Sequence, residues 1–449
     1  MTERFISSVN VRGLFGLYSY TLPEFGEFHA CTIFYGQNGT GKTTILKLIF
    51  HLLSSANDRG HRSALFKTDF EGIDVFLSSG YKVSAVKKVA PLTYLQLEIR
   101  FGEDLLVAWD YYGPSNDKYV SEGMTFNIEN GQIVLGGPKK KYASKVKIGN
   151  QEFLSLLSEI TPATYLVDAE RGILSDKVEQ RRNVVTEKAR REGDITLIKE
   201  AGLSDALRLA ASWITRNGLI VANRGSMNVQ AAYLNMLSHL ADESENERSR
   251  DTSNDEIEQL ISRLDKIRER SETHAKYELS SPVSIAEFNV ALGKRKNRDI
   301  IAKLLKPYVQ SLESRLDSTE DVFNVVNTFV TCVNDMFVDK IIKYTTSSGF
   351  CIFNKKGNLL TPSQLSSGEQ HLLFLFCYLI ITRDSPSVFV IDEPEISLNI
   401  KWQRRLVQSL IDVSSNSKTQ LLFASHSFEI LTQHMDSVVT LDGATHGNS

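Results

Sequence analysis

The most specific chemistry in the chain lies in eight consecutive residues: Gly36, Gln37, Asn38, Gly39, Thr40, Gly41, Lys42 and Thr43. They form a G-x(4)-G-K-T pattern between the apolar run Cys31–Tyr35 and a stretch whose Ile45, Leu48, Ile49 and Leu52 have helical spacing. Glycines in such a loop let backbone N–H groups converge on phosphate oxygens, and the following helix offers them its positive end. Lys42 then reaches the β- and γ-phosphates, the Thr43 hydroxyl ligates Mg²⁺, and Thr44 completes the cradle.

A second group is Asp392 and Glu393, directly after Val388-Phe389-Val390-Ile391. A buried strand that ends in two carboxylates delivers them where α/β sheets bind ligands. Asp392 is placed to hold Mg²⁺, and Glu393 to orient or deprotonate an attacking water. A polyphosphate with Mg²⁺ is the ligand that the two groups together suit. Two further groups are ordinary when taken alone. Ser366-Ser367-Gly368-Glu369 precedes an apolar helix and reads as capping chemistry. His426 stands just beyond the strand Leu421–Ala424.

The elements that must position these groups fall into three stretches. Residues 1–173 read as strands and turns, with antiparallel alternation in Tyr94–Phe101, Leu105–Tyr112 and Gln132–Leu135. Residues 174–340 read as helix, with apolar stripes at Ile257, Leu260, Ile261, Leu264 and Ile267 and at Phe323, Val326, Val330, Val333 and Phe337. The first stripe is too short for a long coiled coil and predicts a helical hairpin, with the polar stretch Ala241–Asn254 as an exposed loop or tip. Residues 341–449 return to strands around one apolar helix at Leu372–Ile381.

A net charge of −3 argues against a protein that coats nucleic acid, although two basic strips could track phosphates. They are Lys139, Lys140, Lys141, Lys145 and Lys147, and Lys294, Arg295, Lys296 and Arg298. Each reads more simply as a solvated face. The four scattered cysteines suit a reducing compartment. The N-terminus lacks a signal-peptide layout, and Leu372–Ile381 is about half a membrane span. The expectation is a soluble cytoplasmic protein without a membrane partner.

The four groups, in this order, resemble the nucleotide-binding heads of ABC-type ATPases over about residues 1–55 and 340–435. The resemblance implies an α/β P-loop head with an antiparallel β subdomain and a helical, short coiled-coil insertion. It implies head-to-tail dimers in which ATP on one subunit's Lys42 loop is closed over by the other's Ser366, Ser367, Gly368 and Glu369. Ser397-Leu398-Asn399 matches the loop that crosses to the partner, and His426 the histidine that contacts the γ-phosphate. The 324 positions from Lys42 to Ser366 leave room for an inserted domain and disfavour a transport ATPase.

Asp392-Glu393-Pro394-Glu395-Ile396-Ser397-Leu398 and Val9-Asn10-Val11-Arg12-Gly13-Leu14 resemble the SMC, RecF and OLD-like branch, in which Arg12 would lie near the nucleotide. Asp168–Arg171 is the candidate region for the Mg²⁺-sensing glutamine loop. Only 23 residues follow His426, too few for the Toprim nuclease of OLD-type proteins. The layout is similar to the ATPase subunits of bacterial anti-phage systems, the AriA type of PARIS and the PtuA type of Septu. That implies a homo-oligomer holding a separate Toprim- or HNH-like nuclease or toxin. The alternative is a DNA-binding repair or chromosome-maintenance ATPase of the RecF or SMC kind.

Overall fold

The computed structural model describes residues 4–57, 59–89, 93–113, 149–167, 174, 202–219, 258–283, 306–396 and 398–441, and the backbone alone of 119–121, 124–129, 132–134, 147–148, 173, 254–257, 298–305 and 444–445. Packing divides the chain into two compact units, 1–198 with 382–449, and 199–381.

The first unit is built on two sheets. One has six strands in the order Ile173–Leu174, Ala163–Val167, Ser387–Asp392, Thr419–Ser425, Cys31–Tyr35 and Val438–Thr440. All its pairings are parallel except the edge strand Ile173–Leu174. Ser387–Asp392 and Thr419–Ser425 are buried at every position, as expected of parallel strands covered on both faces. The helix Lys42–Leu53 buries Ile45, Leu46, Leu48, Ile49, Leu52 and Leu53 in the same core.

The other sheet has eight strands, seven of them pairing antiparallel from Asp104–Tyr111 through Ile6–Leu14 and Tyr18–Leu22 to Ala444–Thr445. Alternation predicts its inward face: Leu95, Leu97 and Ile99 are buried in Tyr94–Phe101. A buried glutamine joins the two sheets. Gln420 Oε1 accepts from Phe5 N (3.0 Å) and Ile6 N (2.8 Å), while its Nε2 donates to Ile6 O (2.9 Å) and His29 O (3.2 Å). All of its hydrogen-bonding capacity is used, as a buried amide requires.

The second unit contains helices at 202–219, Asn254–Ala275, Arg298–Met336 and Ser367–Thr382, the last ending at the boundary, and the antiparallel strands Lys340–Thr345, Gly349–Asn354 and Leu359–Leu360. Leu260, Leu264 and Ile267 pack against Val309, Leu312 and Leu316. This pair is not the hairpin expected around Ala241–Asn254, whose tip and preceding arm lie outside the described residues. Arg263 binds Glu313, Arg270 binds Glu320, and Tyr277, just beyond the first helix, binds Asn327. Both partners advance by seven residues together, so the helices run parallel; in a hairpin one number would fall as the other rose. A stripe specifies which face of a helix is buried, not which way its neighbour runs.

The compact unit also reaches beyond residue 340, where composition places the end of the insertion. Phe329 packs on Phe350 (4.6 Å between centroids) and Phe376 (5.9 Å). Asn334 clasps the backbone of Ile342 through both its N–H and C=O (3.0 and 2.8 Å). The strands after 340 and most of the apolar helix therefore share a core with the long helix. Both basic strips, Asp168–Arg171, Ser397 and residues 241–253 lie outside the described residues, or outside those whose side chains are described. Among the described residues no helix is long and apolar enough to cross a membrane.

Candidate functional site: a phosphate loop, an acidic strand end and a histidine turn

The phosphate loop links the buried strand Cys31–Tyr35 to the helix Lys42–Leu53. Gly39 and Gly41 have φ of 90° and 91°, a region that side chains rarely adopt. A Cβ on Gly41 would also lie 2.5 Å from Leu14 Cδ2, so the first strand of the antiparallel sheet packs directly under the loop. Tyr20 donates its hydroxyl to Thr40 O (2.8 Å), and Thr40 Oγ1 donates to Gln37 O (2.9 Å). Asn38 and Gly39 are exposed at the rim, Gly36 is buried, and Thr44 is half-buried in the first helical turn.

Gly41 caps that helix without a side-chain hydrogen bond, and the first turn carries no acidic residue. Its N–H groups are thus presented to an incoming anion. Lys42 is buried, and its ammonium donates to Gly36 O (2.7 Å) and Gln37 O (2.9 Å). Burial pushes its pKa down, against the opposing pull of Glu393, Asp392 and Glu395.

Thr43 Oγ1 donates to Asp392 Oδ1 at 2.8 Å, across 349 positions of sequence. Asp392 is buried at its strand end, and burial raises its pKa, with the neighbouring Glu393 adding to the rise and the Thr43 bond opposing it. A cation between the hydroxyl and the carboxylate would relieve that cost. The donor set is therefore suited to a hard divalent ion.

Glu393, the next residue, has φ of 47°, a left-handed backbone costing on the order of 1–2 kcal/mol for a side-chain-bearing residue. The turn tips its carboxylate out of the strand, where it is about a quarter exposed, and Oε1 lies 3.5 Å from His426 Nδ1.

Sequence reasoning quoted Glu395 without giving it a role. It is buried, and its Oε1 accepts from Ser425 Oγ (2.7 Å), His426 N (3.1 Å) and Ser427 N (3.2 Å). Its place two residues beyond Glu393 in the acidic loop was the available signal. Tyr20 and Gln420 carried no motif signal at all.

Three sequence-predicted residues take structural partners. Arg12 is paired with Asp74 of the neighbouring strand. Burial would raise the Asp74 pKa, but hydrogen bonds from Ser84 and Arg12 and the charges of Lys82 and Arg12 hold it below the usual range. Asn399 caps the helix Ile400–Val413, accepting from Trp402 N at 3.0 Å.

Glu369, in the second unit, is also committed. Its carboxylate accepts from Ser366 N (2.6 Å) while Ser366 Oγ accepts from Glu369 N (3.3 Å), the reciprocal bonds of a capping box. Lys340 Nζ adds two bonds of 2.9 Å to the same carboxylate. Glu369 thus shapes the helix tip, at which Ser366 and Ser367 are exposed and Gly368 is buried.

A glycine loop with a buried lysine, a threonine bonded to a strand-end aspartate, and an adjacent glutamate and histidine define a P-loop ATPase site. The chain belongs to the family described as AAA ATPase domain, which matches residues 5–431. No curated relative matches. Among solved structures it is similar to the Smc head domain with an extended coiled coil, bound to the C-terminal domain of ScpA, from Pyrococcus furiosus. Identity is 12%, the TM-score is 0.38, and 98% of this chain and 93% of that chain are covered. The SmcHead bound to the C-winged helix domain of ScpA is similar at 12% identity and a TM-score of 0.33, covering 95% of this chain and 92% of that one.

Proposed function

We propose that the protein is an ATP-driven switch whose heads close on one another over ATP and reopen on hydrolysis, as the sensor or scaffold subunit of a cytoplasmic anti-phage system that holds a separate nuclease or toxin. The observation that carries the hydrolytic part is the Thr43–Asp392 bond, flanked by Lys42 and by Glu393 with His426. Mg²⁺·ATP, when bound, supplies the electrophilic phosphoryl group and the charge neutralisation that transfer requires.

The chain's own residues do the rest. Lys42 exchanges its two loop carbonyls for phosphate oxygens. Thr43 and Asp392 hold the cation. Glu393 orients the attacking water and accepts its proton, and His426 stands beside it as a contact for the terminal phosphate. The switch part is supported by the helix tip, where the exposed small residues Ser366 and Ser367 allow close approach of a triphosphate held by a second copy.

Sedimentation of the Glu393→Gln protein with Mg²⁺ and ATP tests closure: a stable dimer is expected, and a monomer at saturating ATP contradicts it. Co-expression with the product of the adjacent gene tests the defence role. A nuclease-like partner released or activated on infection supports it. Salt-dependent DNA binding by the chain alone would favour the repair-type alternative.

A further inference from the structure

We propose that Glu395 is a positioning residue for hydrolysis, holding the turn that carries His426 and setting the ring against Glu393. The proposal rests on the hydrolytic reading above and adds to it a residue which that reading does not use.

Three donors from three consecutive residues converge on one oxygen: the Ser425 hydroxyl at 2.7 Å and the backbone N–H groups of His426 and Ser427 at 3.1 and 3.2 Å. Ser425 Oγ also accepts from Ser427 N at 3.0 Å, which closes the turn around the carboxylate. The same oxygen lies 3.5 Å from His426 Nδ1, the distance at which Glu393 Oε1 also stands. The ring nitrogen is thus poised between two carboxylates, one buried and fixed, the other on a left-handed turn.

The remaining oxygen, Oε2, is buried without a hydrogen-bond partner among the described residues. A buried oxygen left unpaired is costly in a side chain that only ties down a loop. The carboxylate's position beside the His426 ring, 3.5 Å from Nδ1, gives it a second task.

The test uses the full-length protein and two substitutions, with two readouts. Hydrogen–deuterium exchange of the segment containing His426 and Ser427 reads the clamp without ATP. Glu395→Ala should lose amide protection there, while Glu395→Gln, which keeps an acceptor oxygen, should retain it. Steady-state ATP turnover reads the chemistry. Glu395→Ala should lower kcat roughly 10- to 100-fold with KM for ATP within about threefold, and Glu395→Gln should fall between it and the wild type.

Unchanged protection in Glu395→Ala overturns the clamp. Lost protection with wild-type kcat overturns the role in hydrolysis. Equal loss of protection in both variants overturns the acceptor assignment. A wild-type protein that binds but never hydrolyses ATP refutes the hydrolytic reading instead, and the exchange experiment still decides whether Glu395 holds the turn.

Discussion

The two compact units hold their functional groups by different physics. In the first, Lys42, Thr43, Asp392, Glu393 and His426 stand at the ends of neighbouring parallel strands, on a sheet buried on both faces. Long-range bonds such as Thr43–Asp392 and Glu395–Ser425 fix them. In the second, Ser366–Gly368 is shaped by a local capping box and by Lys340. Behind it stand aromatic packing and a parallel helix pair laced by half-exposed ion pairs. Groups that must meet one another to within a few tenths of an ångström sit on the rigid sheet. The tip, proposed to meet a second copy, is held instead by its own capping box and by Lys340 from 29 positions away.

That contrast is sharpest where substitutions are expected to be largest. Lys42→Ala should abolish nucleotide binding and lower turnover roughly 10²–10³-fold or more, measured by calorimetry and phosphate release. Its loss should leave the fold intact, because among the described residues its hydrogen bonds go to two loop carbonyls of the same loop.

In the second unit the largest effect falls on stability. Leu264→Ala removes a fully buried side chain from the helix pair and should cost about 2–5 kcal/mol in denaturant unfolding, with catalytic constants per folded molecule unchanged. The parallel direction is read by a double-mutant cycle: Arg263→Ala and Glu313→Ala should couple by up to about 1 kcal/mol.

A titration separates the units further. His51, at the end of the phosphate-loop helix, is pushed down to about 4 by burial and by the neighbouring His61, Arg62 and Lys47. The unfolded chain takes up this proton near pH 6.5, before the folded one does. Stability of the first unit is therefore full above that value and falls as pH drops through the window from 6.5 to about 4, by about 3 kcal/mol at most. Thermal melts of wild type and His51→Gln should converge over that window. Smallest of all, Glu369→Ala should cost about 1 kcal/mol from the lost cap, visible as faster exchange at the start of the apolar helix.

Much of the first unit was legible because its residues announce themselves. Glycines at 39 and 41 are required by positive φ, and the apolar strand ending in Asp392-Glu393, ordinary alone, gains its meaning from the phosphate loop. The antiparallel strands followed from alternation. What stayed hidden depends on contacts that no local pattern encodes. Gln420 reads as a polar residue in an apolar strand until Ile6 is seen beside it. Arg12 faces Asp74 because of strand register. The helix pair's direction depends on how the chain returns between helices, and the boundary beyond 340 depends on Phe329 meeting Phe350 and Phe376. Ser366-Ser367-Gly368-Glu369 carried its capping-box spacing in plain view, and the structure shows that Glu369 serves the helix.

Rapid-quench hydrolysis of radiolabelled ATP, run side by side on wild type and Glu393→Gln, bears most directly on whether these strand-end groups form a hydrolytic site. The wild type should release phosphate in the presence of Mg²⁺, while the variant binds ATP with affinity within a few-fold and returns it intact. Release by the variant at the wild-type rate would contradict the account.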